Sequence, residues 1–194
     1  MSNLFQNLEV QAFRAGITPR TKESISWFKD KASKMGKINR NELMKDDTLR
    51  LQNRQAVGKM FMYFYDPKGK STLPYYDSFP LTIIVGKAKG GFAGLNLHYL
   101  PMTLRAKFLD SLLEITNNKK YNDTTKFKMS YDLLQGAAKF KYFRPCYKHY
   151  LANHVRSRFA LVPAPEWEIA AFLPTADFQK MSQAKVHKIS RGMV

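Results

Sequence analysis

Acidic residues are scarce in this chain: fifteen Asp and Glu stand against 32 Lys and Arg in 194 residues, a formal charge of +17. Such a balance decides nothing about fold, but it makes polyanions the partners that the surface draws in most strongly. Cysteine is scarcer still. Cys146 stands alone, which excludes an intrachain disulfide and any zinc site built on cysteines, and suits a reducing compartment. No run approaches the ~18 consecutive apolar residues of a membrane-spanning helix. The first nine residues also lack the basic stretch and apolar stretch of a secretory signal. The expected place is the cytosol, or a particle assembled there. Internal repeats and low-complexity segments are absent too, which excludes solenoids and tandem arrays.

What is present is the composition of a folded protein, 44% hydrophobic and 13% aromatic, in a length that suits one core with appendages. The cationic excess is spread along it: twelve cations against six anions in residues 1–60, eight against four in 61–120, and twelve against five in 121–194. The most informative segment is 58–101. It holds three aromatic or β-branched runs, Met60-Phe61-Met62-Tyr63-Phe64-Tyr65, Leu81-Thr82-Ile83-Ile84-Val85 and Phe92-Ala93-Gly94-Leu95-Asn96-Leu97-His98-Tyr99-Leu100. Turn-forming stretches separate them, Asp66-Pro67-Lys68-Gly69-Lys70 and Gly86-Lys87-Ala88-Lys89-Gly90-Gly91. That is strand chemistry with tight reversals, and it predicts an antiparallel meander. The fold class expected is α+β: a small SH3-like antiparallel β-barrel with flanking helices and extended basic arms.

Helical periodicity appears on both sides. Ile25, Phe28 and Ala32 make a stripe over residues 24–35, with Thr21 or Ser24 as cap and Gly36 as stop. Residues 37–54 turn polar and read as an arm with a short helical turn at 41–45. Leu104, Phe108, Leu112 or Leu113, and Ile115 predict a core helix over 103–117, and a second helix is expected over 130–139. Pro145 is placed to open a third, carrying Tyr147, Tyr150, Leu151, His154 and Val155 on one side. Residues 166–173 read as a strand that closes the sheet, and the tail after Gln179 as basic and nearly featureless. The expected organisation is a helix and arm at 1–57, a barrel-plus-helices core at 58–179 and a basic tail at 180–194.

The usual signatures of catalysis are missing. His98 lies in a strand pattern and reads as a core histidine. His149 and His154 are about 140° apart on a helix, off any shared metal face. Asp66 and Asp77 fit turn chemistry, and the loop bearing Lys87 and Lys89 lacks the Gly-Lys-Ser/Thr ending and following helix of a phosphate-binding loop. It reads as a hairpin tip with two exposed lysines. Cys146 reads as a buried structural thiol. An enzyme would require the fold to gather Asp66, Asp77, His98 and His154; the expectation is no enzyme, no cofactor and no metal. The positive signal is for binding. Lys139, Lys141, Arg144 and Lys148 interleave with Phe140, Tyr142 and Phe143, and Arg156 and Arg158 extend the set, the mixture that grips phosphates and stacks on bases. A second reading has the aromatics anchoring a loop while the cations face water. Lys180, Lys185, Lys188 and Arg191 form a further basic set on an expected flexible arm.

Several phrases resemble a known family. They are Met62-Tyr63-Phe64-Tyr65-Asp66-Pro67-Lys68, Leu73-Pro74-Tyr75-Tyr76-Asp77-Ser78-Phe79-Pro80-Leu81, Gly90-Gly91-Phe92-Ala93-Gly94-Leu95-Asn96-Leu97-His98-Tyr99-Leu100-Pro101 and Leu104-Arg105-Ala106-Lys107. Arg144-Pro145-Cys146, His154-Val155-Arg156-Ser157-Arg158-Phe159 and Trp167-Glu168-Ile169-Ala170-Ala171-Phe172-Leu173-Pro174 add to them. Together they are similar to virion proteins of contractile-tailed phages whose members are often labelled DNA end protector proteins. The resemblance implies a non-enzymatic particle protein bound at the end of packaged double-stranded DNA near the head–tail junction, among other virion proteins. It equally admits a structural neck, tail or baseplate subunit that never touches DNA.

Overall fold

The computed structural model describes residues 4–46, 49–139, 141 and 143–192. Its centre is the predicted meander. β4 (Leu81–Ala88) and β5 (Gly91–Asn96) form a hairpin, and Gly90 at its tip takes a φ of +74° that a side chain would resist. β2 (Met60–Met62) pairs with β4 on one side, and β6 (Tyr147–Leu151) pairs with β5 on the other. β7 (Phe159–Val162) lies beyond β2, and β1 (Arg50–Gln52) beyond β7. The order is β1-β7-β2-β4-β5-β6, antiparallel throughout, while β3 (Tyr76–Asp77) and β8 (Phe178–Gln179) make a separate two-stranded ladder.

Alternation along the strands gives the sheet two apolar faces. Met60, Met62, Leu81, Ile83, Ala93, Leu95, Ala160 and Val162 join the main core, which is covered by helices α1 (Leu4–Arg14), α2 (Lys22–Ser33), α4 (Met102–Thr116) and α5 (Asp123–Lys139). Phe61, Tyr63, Tyr65, Ile84, Phe92, Tyr150 and Phe159 form a second, aromatic core. There Phe92 of β5 and Phe159 of β7 have ring centroids 5.8 Å apart, although three strand spacings, about 14 Å in a flat sheet, separate them. The sheet is therefore strongly curled around Tyr63, whose ring meets Phe92, Tyr150 and Phe159 edge-on. A register shift between Ile84 and Gly86 helps to bend it.

The curl stops short of closure: among the described residues no ladder joins β6 to β7 or β1, so the expected barrel is an open, rolled sheet. Three further expectations are corrected. Pro145 opens only a 3-10 turn, Arg144–Cys146, after which the chain extends as β6. Residues 166–173 are not a strand: α6 (Trp167–Ala170) is one helical turn, and Ile169 to Leu173 are fully buried. The terminal arms are docked. Phe5 and Leu8 of α1, Phe28 of α2 and Leu43 of α3 (Arg40–Met44) enter the main core. So does Val186 of α7 (Gln183–Gly192), with no exposed surface. Lys180, expected on a flexible arm, gives its ammonium to the carbonyls of Lys70, Ser71 and Leu73 at 2.6 to 2.9 Å.

Candidate nucleic-acid interface

The predicted cations fall into separate places. Lys139 ends α5, and Lys141 and Arg144 follow it; all three are exposed. Phe143, from the same interleaved stretch, is half-buried against Phe108 at 5.4 Å, so this ring anchors the loop as the second reading had it; Phe140 and Tyr142 lie outside the described residues. Lys148 is turned inward, its ammonium 4.0 Å from the centre of the Tyr99 ring, and burial lowers its pKa. Arg156 and Arg158 are exposed beyond the far end of β6, the strand that begins three residues after Arg144. Arg156 faces the Asp66 carboxylate at 3.7 Å, and Arg158 donates to the Leu51 carbonyl at 2.8 Å. Lys87 and Lys89 are exposed at the β4–β5 tip, which meets the end of β6 through the Ala152 N–H to the Gly90 carbonyl. On α7, Lys185, Lys188 and Arg191 point outward while Val186 and Ser190 face the core.

The fold also holds a buried polar knot. Asp77 Oδ1 accepts the backbone N–H groups of Phe79 and Asp177, and Oδ2 accepts Asn96 Nδ2 at 3.0 Å and His98 Nδ1 at 2.7 Å. The carboxylate fixes the imidazole tautomer, leaving Nε2 to accept from the Thr175 hydroxyl at 3.2 Å. Asn96 also takes the Tyr150 hydroxyl as partner. Arg105, 1% exposed, donates to the carbonyls of Leu100, Ala171 and His98, and His187 of α7 donates to the same His98 carbonyl at 2.8 Å. Burial pushes the Asp77 carboxyl up, but the His98 pairing and the other hydrogen bonds outweigh it and hold it below the ordinary value. Burial lowers the His98 imidazole despite Asp77, and brings Arg105 down to about 10. Asp, His and Thr in file resemble a hydrolytic triad, yet His98 and Thr175 expose nothing, so no substrate reaches them.

A family model described as that of the phage T4 terminal DNA protecting protein matches residues 3–191. The chain belongs to that family. No curated protein and no solved structure matches it. Four of the seven phrases that carried the sequence resemblance meet in the knot, through Asp77, Asn96, His98, Arg105 and Ala171.

The remaining sequence candidates take structural roles. Cys146 is fully buried, its thiol directed at the Phe143 carbonyl and pushed up to about 12 by burial. His154 binds the Asp66 carbonyl, so the fold forms two pairs, Asp77 with His98 and Asp66 with His154. Among the described residues no group of three or more His, Cys, Asp or Glu is placed to hold a metal ion. No described helix is long and apolar enough to cross a membrane. Neither the knot nor the inward Lys148 was foreseen. The signal for the knot was the density of polar residues, Asp77, Asn96, His98 and Arg105, inside otherwise apolar phrases.

Proposed function

We propose that this protein is a virion component that caps the end of packaged duplex DNA near the head–tail junction, among other virion proteins. The family match across residues 3–191 carries the reading, and the +17 charge supports it. Lys139, Lys141, Arg144, Arg156 and Arg158, with Lys87 and Lys89 at the hairpin tip, neutralise phosphates; Lys148 is left out because its ammonium is committed to Tyr99. Discrimination comes from the geometry of a DNA end and not from base readout, since the sequence carries no recognition-helix signature. The action is obstruction: a bound end is withheld from exonucleases, and no bond is made or broken. We also read β7-β2-β4-β5-β6, with a 3-10 turn at Ala152–His154 between β6 and β7, as an SH3-like unit left open along one seam.

The test is binding to a linear duplex across several salt concentrations with a nicked circle of equal length as competitor. Preference for the linear form, with affinity falling steeply in salt, is the expected result. Equal affinity for both forms ends the end-capping reading. No binding near physiological salt assigns the charge to acidic protein neighbours in a neck, tail or baseplate.

A further inference from the structure

A cleft of about 340 Å3 lies between α4, α5 and the segment from Leu161 to Glu168, within the ~300–1,000 Å3 typical of small-molecule sites. The rings of Phe127, Tyr131 and Trp167 line it, and so do four cations, Arg20, Arg50, Lys59 and Lys126. The one carboxylate among the described lining residues, Glu168, is occupied: it accepts the Arg20 backbone N–H at 3.0 Å and the Ser24 hydroxyl. Flat apolar walls with a cationic lining are complementary to an aromatic ring that carries an anionic group.

Arg20 supplies the second observation. It is held at a φ of +60°, uncommon outside glycine. Its backbone N–H is fixed by Glu168, its carbonyl by Asn117 Nδ2 at 2.9 Å and one terminal guanidinium nitrogen by Thr116 at 3.0 Å. Strain so firmly held is characteristic of positions where function needs a side chain aimed. Among the described residues its Nε, buried in the cleft lining, finds no hydrogen-bond partner, and neither does the buried hydroxyl of Ser130, another lining residue. Orphaned polar atoms of this kind call for an acceptor.

We infer that the cleft takes the terminal nucleotide of a DNA end, its base against Phe127, Tyr131 and Trp167 and its phosphate among the four cations. The inference rests on the DNA-capping reading and gives that reading its selectivity. An interior nucleotide must be unstacked from two neighbours before it enters a pocket, whereas a terminal one has a single stacking partner and frays readily. The strand leads out past Arg50 of β1 towards Arg158, which already touches the next residue of that strand.

The test uses a hairpin duplex with one free end and a sealed dumbbell with none. A 2-aminopurine is placed either at the terminal nucleotide or in mid-stem. Binding is expected to change the fluorescence of the terminal probe and leave the interior one unchanged. Phe127 is 66% exposed, so Phe127→Ala leaves the fold intact; it loses about tenfold in affinity for the free end, or about 1.4 kcal/mol, and nothing for the dumbbell. Lys126→Gln weakens free-end binding in the same selective way. A silent terminal probe on a protein that still prefers the free end overturns the cleft and leaves end capping standing, with the cleft assigned to an apolar side chain of a virion neighbour. Equal binding of hairpin and dumbbell overturns both.

Discussion

Asp77 exposes 3% of its surface and accepts hydrogen bonds from four donors. Removing a group at such a junction leaves its donors buried and unmatched, which costs far more than any one bond contributes. Asp77→Ala is expected to lose about 3–5 kcal/mol, a large part of a total stability of ~5–15 kcal/mol. Asp77→Asn keeps one acceptor oxygen and loses less; equal urea midpoints for Asp77→Ala and wild type would refute the account. The same residues set a pH dependence. His98 titrates below the ordinary imidazole value of 6.5, so as pH falls below 6.5 the unfolded chain takes up a proton that the folded chain refuses, and stability drops. Asp77 lies below 3.8, and its contribution, present above 3.8, disappears as pH falls through its lower folded value. Glu166 and Glu168 are held above 4.5 by burial and act in the opposite direction. His187, lowered by burial beside the His98 carbonyl, acts in the same direction as His98, so in His98→Gln the unfolding midpoint should become flatter between pH 7 and about 5 without losing its slope entirely.

At the scale of elements, the sequence disclosed those whose pattern had one physical reading. The β4–β5 hairpin was legible because β-branched runs flank a Gly-rich turn, and α2 because its stripe of Ile25, Phe28 and Ala32 is bounded by the Thr21 cap. Residues 147–151 were misread because Tyr147, Tyr150 and Leu151 satisfy helical spacing by coincidence. The alternation of exposed Tyr147 and His149 with inward Lys148 and Tyr150 is the pattern the chain obeys, and its aromatic content favours a strand. Residues 166–173 were misread for another reason: an apolar run buried on all sides has no period to betray it. The docked α7 was missed because one residue, Val186, supplies its main anchor. That makes a prediction. Val186→Asp should release 183–192, seen as loss of amide-exchange protection there, while the β4–β5 hairpin keeps its protection. Release also removes His187 from the His98 carbonyl, so thermal stability should fall by more than a surface change of about 0.5 kcal/mol. Unchanged protection across α7 would show that the helix is held by contacts other than Val186.

Over the whole molecule the legible quantity was charge, and the illegible one was where it gathers. Many residues of the resemblance phrases lie inside, Asp77, Asn96, His98 and Arg105 among them, while the cations that would meet DNA, three of which (Arg144, Arg156 and Arg158) also belong to those phrases, sit on surfaces that only the fold brings into relation. α5 links two of these: Lys126 lines the cleft near its start, and Lys139 ends it thirteen residues later, about 20 Å away. That is about six base pairs along a duplex at ~3.4 Å each. A DNA end seated in the cleft would thus lie with its next half-turn towards Lys139, Lys141 and Arg144. The two groups should then separate experimentally. Replacing Lys139, Lys141 and Arg144 together by Gln should reduce the slope of log affinity against log salt by about 3, since each phosphate contact contributes about 0.9. It should do so alike for free-ended and sealed duplexes, because a phosphate track does not sense an end. Lys59→Gln with Lys126→Gln should instead erode the preference for free ends. An unchanged slope in the triple variant would remove those three cations from the DNA path and leave the cleft face as the contact surface.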